Sequence, residues 1–193
     1  MRRRTHALIG LLAISNAWFG CDEQRGNEAV ASVATPTAAA GPRGFQTTGV
    51  VLYQPDSVLA ERVPSSQVLS AYMKEIQASC ASRFQESTAP EALDVVVALK
   101  PGGLSRTWFV TSARSEDDRQ LSDLKRDIEA LSAPPINGGP VAFAIVGSIA
   151  GAPRPAQGGA GYRPPMPKAW TEVAQRVGGQ GVLPDDVLRH IWP

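Results

Sequence analysis

The apolar residues of this chain change their spacing in mid-sequence, and that change limits the folds open to it. Leu69, Tyr72, Met73, Ile76, Cys80 and Phe84 recur three and four positions apart, which places them on one stripe of a helix. Lys74, Glu75, Gln77, Arg83 and Gln85 take the opposite side, and Pro64-Ser65-Ser66 offers a hydroxyl cap. Beyond Ala89-Pro90 the period drops to two. Leu93, Val95, Val97 and Leu99 alternate with Asp94, Val96, Ala98 and Lys100, the pattern of a half-buried strand. Pro101-Gly102-Gly103 predicts a tight turn, because glycine accepts the positive φ of hairpin loops. Leu104 to Ser112, rich in Thr, Trp, Phe and Val, reads as the returning strand.

A second helix is announced by Ser115-Glu116-Asp117-Asp118, a hydroxyl cap with three carboxylates in the first turn. Leu121, Leu124, Ile128 and Leu131 share one face until Pro134-Pro135 stops the helix. Gly138-Gly139-Pro140 then precedes a last strand, Val141 to Ile149. The order from Val63 to Ile149 is helix, strand, strand, helix, strand. It predicts an α+β fold, a small, mostly antiparallel sheet with two helices on one face. Phe45 to Tyr53 adds a further strand at an edge, so the domain spans 45–150.

Residues 151–168 are rich in proline and glycine and read as a linker, with Arg163-Pro164-Pro165 extended. Residues 169–193 form a short helical tail. Trp170, Val173, Ala174 and Val177 stripe its first helix, which Gly178-Gly179 ends. The second starts at Pro184, with Asp185 and Asp186 in its first turn, and carries Val187, Leu188, Ile191 and Trp192. Two readings stand for this tail: docking to a partner or membrane surface, or folding back onto the sheet. Trp108 and Phe109 are strand neighbours and face opposite sides, so one must lie outside the main core. Trp108, Phe109, Trp170 and Trp192 are therefore the candidate interaction surface.

The amino-terminal residues give an address. Arg2, Arg3 and Arg4 precede an apolar run from Ala7 to Gly20, shorter than the roughly 20 residues a spanning helix needs. Residues 1–20 thus read as a signal peptide. Trp18-Phe19-Gly20-Cys21 resembles a bacterial lipobox, whose cysteine is lipidated after cleavage, and this makes Cys21 the candidate lipidation site. Ser15-Asn16-Ala17 is a rival cleavage site for plain secretion, and an uncleaved anchor is a third reading. Asp22 resembles a signal that retains lipoproteins at the inner membrane of some bacteria. Residues 21–44 are small and polar and read as a flexible tether, reaching at most roughly 75 Å.

Composition excludes several classes. Three of the 19 basic residues lie in the amino-terminal run, so the remainder is slightly acidic against 18 Asp and Glu. A nucleic-acid partner, which would need a clustered basic face, is not expected. His6 lies in the signal and leaves His190 as the other histidine, and no CxxC or HxxxH spacing occurs, so neither metal nor cofactor is expected. Cys80 sits on an apolar stripe and reads as a buried, inert thiol. If Cys21 carried no lipid, a Cys21–Cys80 disulfide would be the alternative in an oxidising compartment. Asp117 and Asp118 read as helix caps rather than cation ligands. The glycine clusters at 158–161 and 178–181 match no phosphate or dinucleotide fingerprint.

The central order also resembles the C-terminal domain of the TonB/TolA group of periplasmic proteins. The residues that carry the resemblance are the helix with Tyr72 and Ile76, the hairpin LDVVVALKPGGLSRTWFVTS, the helix with Leu121-Ser122-Asp123-Leu124 ending in Ala133-Pro134-Pro135, and the closing strand VAFAIVGSI. The resemblance implies a binding domain that pairs with partners by adding strands at a sheet edge. The functional expectation is a non-catalytic, lipid-anchored protein on the periplasmic side of the envelope. Its partner would be another envelope protein, paired through Phe45–Tyr53 or Val141–Ile149 as an edge strand. The alternative is a secreted or periplasmic enzyme, or an inhibitor of one, using dispersed carboxylates such as Asp94 or Glu116 together with His190.

Overall fold

Four strands and five helices make up the computed structural model, which describes residues 43–115, 117–155, 162–177 and 184–193. Cys21, Glu116, the signal and the glycine clusters at 158–161 and 178–181 lie outside the described residues, as does all of the tether except Arg43 and Gly44. The elements are β1 (Phe45–Leu52), α1 (Asp56–Arg62), α2 (Ser66–Phe84), β2 (Glu91–Lys100), β3 (Leu104–Thr111), α3 (Arg119–Glu129), β4 (Val141–Ile149), α4 (Lys168–Val177) and α5 (Pro184–Ile191). The expected α+β class holds, and the sheet is antiparallel throughout.

Local chemistry accounts for most of the boundaries. Ser65 caps α2 by accepting the Val68 N–H through its hydroxyl at 3.3 Å. Gly102 and Gly103 turn β2 into β3 with φ of 90° and 74°. The start of α3 lies further along than the sequence pattern suggests. Asp118, not Ser115, is its cap and accepts the N–H groups of Gln120 and Leu121 at 2.8 and 3.2 Å. No acidic residue therefore lies in the first turn of α3. Helix α1 was not expected. It is short and buries only Leu59, too few apolar positions to show a period.

Strand order is β1-β4-β2-β3, which puts β4 between β1 and β2. One face of the sheet carries Leu93, Val95, Val97, Leu99, Val141, Phe143, Ile145 and Ile149. Helix α2 covers it with Leu69, Tyr72, Ile76, Cys80 and Phe84, and α3 with Leu121, Leu124 and Ile128. The opposite face carries Val96, Ala98, Ala142 and Ala144, and α4 and α5 cover it with Trp170, Val173, Val187 and Leu188. The described domain thus has three layers. The half-buried pattern expected for β2 is corrected: Val96 and Ala98 are buried too, because the tail folds back over them.

Polar bonds at both ends of α5 hold this third layer. Arg62 of α1 meets Asp185 of α5 at 2.6 Å and also donates to the Pro140 carbonyl at 2.7 Å. Arg106 donates to the Ile191 carbonyl at 2.9 Å, and Lys100 donates to that of Trp192. Basic side chains at the end of α5 suit its negative pole.

Candidate functional site

Among the described residues both sheet edges are free of a further strand, but they differ. Strand β1 carries a bulge between Thr47 and Gly49, where Thr48 turns its hydroxyl to the Val146 carbonyl at 3.2 Å. A bulge interrupts the ladder and blunts an edge. Strand β3 pairs with β2 in unbroken register from Lys100↔Leu104 to Leu93↔Thr111. Just past that register, the Ser112 N–H donates across to the Ala92 carbonyl. Alternation then turns the backbone groups of Ser105, Thr107, Phe109 and Thr111 outward. Glu129 of α3 accepts the outward N–H of Thr107 at 2.8 Å. Among the described residues nothing takes up the outward groups of Phe109.

This edge lies in a groove. Thr107, Trp108, Phe109 and Thr111 form its floor. Leu121, Ser122 and Lys125 of α3 make one wall, and Pro167 and Ala169 at the start of α4 make the other. The cavity measures about 120 Å³. Thr107 is fully buried, and its Oγ1 has no hydrogen-bond partner among the described residues. Lys125 is half-buried and makes no ion pair among them.

The four residues of the expected interaction surface part company. Trp108 and Phe109 face opposite sides, and both line the groove. Trp108 lies under the tail, edge-on to Trp170 at 5.4 Å between ring centroids. Trp170 is not surface at all: it is 1% exposed, packed between Trp108 and Tyr53 in the core of the tail face. Trp192 is half-buried beneath Lys100, whose ammonium sits 4.8 Å from the ring centroid. Val141–Ile149 is corrected as well. As β4 it is hydrogen-bonded on both sides and offers no edge.

The carboxylates and the histidine are held by separate partners. His190 is exposed, and its Nδ1 lies 2.7 Å from the Asp186 carbonyl oxygen. Asp186 pairs with Arg189, whereas Asp185 bonds Arg62 and Gln54. Asp94 is buried against Arg154; burial pushes its carboxyl above the usual range, and the guanidinium pulls the other way. Cys80 is fully buried on α2, and burial pushes its thiol up to about 12. Asp118 caps α3, as expected of a capping acid. Among the described residues no three His, Cys, Asp or Glu side chains gather where a metal could sit, and no helix is long and apolar enough to cross a membrane.

Thr107, Lys125 and Pro167 did not stand out in the sequence. One signal was present: Lys125 lies four residues after Leu121 and three before Ile128, inside an apolar stripe. A lysine there must either snorkel or line a depression. Comparison with protein-family models, with curated proteins and with solved structures finds no match.

Proposed function

We propose that this chain is a non-catalytic binding protein of the bacterial envelope, anchored by lipid at Cys21, whose domain takes up an extended segment of another envelope protein as an additional strand on β3. The observation that carries the reading is the floor of the groove, where an unbroken edge strand presents the backbone of Phe109 between two walls. An added strand satisfies such groups directly, and the walls supply side-chain contacts. The resemblance of residues 63–149 to the TonB/TolA C-terminal domain supports the same mode. The lipobox-like Trp18-Phe19-Gly20-Cys21 supports the anchor, since a multiply acylated terminus holds a protein at a membrane where a single chain does so marginally.

Site-specific photo-crosslinking in a bacterial host tests the reading. A benzoylphenylalanine at position 122, on the groove wall, should give an adduct whose linked peptide maps to an extended segment of a second protein. The same probe at Lys74, on the outer side of α2, should not give that adduct. Equal adducts from both positions, or none from 122, would count against strand uptake. Mass spectrometry of the mature amino terminus tests the anchor, and a terminus without diacylglycerol on Cys21 would refute it.

A further inference from the structure

The two walls of the β3 groove differ in chemistry, and we infer that the segment it takes up is acidic on its α3-facing side and small and apolar on its tail-facing side. The inference rests on the strand-uptake reading above. An added strand alternates its side chains between the two faces of the sheet. On the α3 side they meet Lys125, the hydroxyl of Ser122 and the buried, unpartnered Oγ1 of Thr107. Each is a hydrogen-bond donor, and the acceptor nearby, Glu129, already holds the Thr107 N–H. A carboxylate meets all three needs: it neutralises a half-buried ammonium that lacks an ion pair among the described residues, and it accepts from the hydroxyls. On the tail side the strand meets Trp108, Pro167 and Ala169, which offer apolar contact.

The walls also bear on the choice of occupant. Two copies of β3 cannot lie edge to edge without bringing α3 and the 167–169 segment of each copy against those of the other. Such a pairing would set Lys125 near its own counterpart, a like-charge contact that disfavours self-association. A single extended acidic chain meets neither obstacle.

Fluorescence anisotropy of the full-length chain with labelled heptapeptides tests this. The probes are Thr-Val-Glu-Val-Glu-Val-Thr, the same peptide with Gln or with Lys in place of Glu, and the Glu peptide N-methylated at alternate residues. The Glu peptide should bind about tenfold more tightly than the Gln peptide, and the Lys peptide more weakly still. Lys125→Gln should erase the Glu-over-Gln preference, and Lys125→Glu should reverse it in favour of Lys. N-methylation should abolish binding. If Glu, Gln and Lys peptides bind alike and N-methylation still abolishes binding, strand uptake stands and the acidic preference falls. If the N-methylated peptide binds as well as its parent, strand uptake itself falls. If no peptide binds and the chain sediments as a dimer, the groove serves a second copy and the inference is overturned.

Discussion

Glu129 Oε1 accepts the outward N–H of Thr107 at 2.8 Å, so a helix side chain closes one ladder position of the exposed β3 strand. Unpaired edge groups invite association with other chains, and an acidic side chain turned onto the edge takes one of the outward N–H groups of β3 out of reach. Glu129→Ala should lower the unfolding free energy in urea by about 1 kcal/mol, the usual worth of such a bond. It should also tighten binding of the acidic heptapeptide, because a further outward N–H becomes free. Unchanged stability together with unchanged peptide affinity would show that the bond guards nothing.

Phe45 lies across Gly147, and the two are one strand apart on the same sheet face. A Cβ at position 147 would overlap the phenyl ring and come within 2.9 Å of the Gln46 carbonyl oxygen. Strand β4 is central and cannot shift to make room. Gly147→Ala should therefore cost about 1–3 kcal/mol in urea unfolding, the range for overpacking a core. Phe45→Leu in the same chain should recover part of that loss, so the double mutant should be more stable than the sum of the single changes predicts. Simple additivity would place the strain elsewhere.

The elements of the central domain were legible because each has its own period. Leu69 to Phe84 spells a helix and Leu93 to Leu99 a strand without reference to anything distant. What covers the second face was legible only as one of two readings for the tail, folding back onto the sheet, and that one holds. Val96, Ala98, Ala142 and Ala144 look like solvent-side residues of modest size until Trp170 and Leu188 are seen against them. The runs VVVAL and VAFAIV did carry a hint, since continuous apolar residues mark strands buried on both faces. Strand order was hidden for a related reason. Nothing in Val141–Ile149 says that β1, nearly a hundred residues earlier, pairs on its outer side. The groove needs Phe109, Lys125 and Pro167 from separate segments, so only Lys125, out of place in its stripe, could have hinted at it.

Asp185 gives the stability a sign-definite pH dependence. Burial opposes its ionisation, but hydrogen bonds from Arg62 and Gln54 outweigh that and hold the carboxyl below its ordinary value. A carboxyl depressed in the folded state stabilises above the ordinary range, near 4, and loses that contribution as pH falls through the depressed value. The urea unfolding free energy of the native chain should exceed that of Asp185→Asn by about 1 kcal/mol at pH 7, a figure held low because the pair is partly solvated. The gap should shrink steadily below pH 4. A gap equally wide at pH 3 would mean that the charge does not matter.

Cys80 should be inert in the folded protein. It is fully buried, and a thiol pushed up to about 12 carries almost no thiolate at pH 8. Iodoacetamide at pH 8 followed by peptide mapping should leave Cys80 unmodified in the native chain and alkylated in 6 M guanidinium. Labelling at equal rates in both states would contradict its place on the buried side of α2.

Trp170 and Trp192 look alike in the sequence, each an aromatic on a short tail helix, and the structure separates their roles. Trp170 is 1% exposed and packs edge-on to Trp108 and at a tilt to Tyr53, with ring centroids 5.4 Å away in both pairs. Removing it would leave a cavity over the small residues Ala98, Ala142 and Ala144, which cannot collapse to fill it. Trp170→Ala should cost about 3–5 kcal/mol, as large-to-small changes in a core do. Trp192 is half-buried at the margin of the same cluster, and the Lys100 ammonium adds a cation–π contact of about 0.5–1 kcal/mol. Trp192→Ala should therefore lower stability by about 1–2 kcal/mol, from partial burial and the cation–π contact together, well short of the Trp170 loss. Parallel urea titrations of the two variants decide the matter. Equal losses would mean that the tail is a single fastening, and a negligible loss for Trp170→Ala would mean that the third layer adds nothing to the fold.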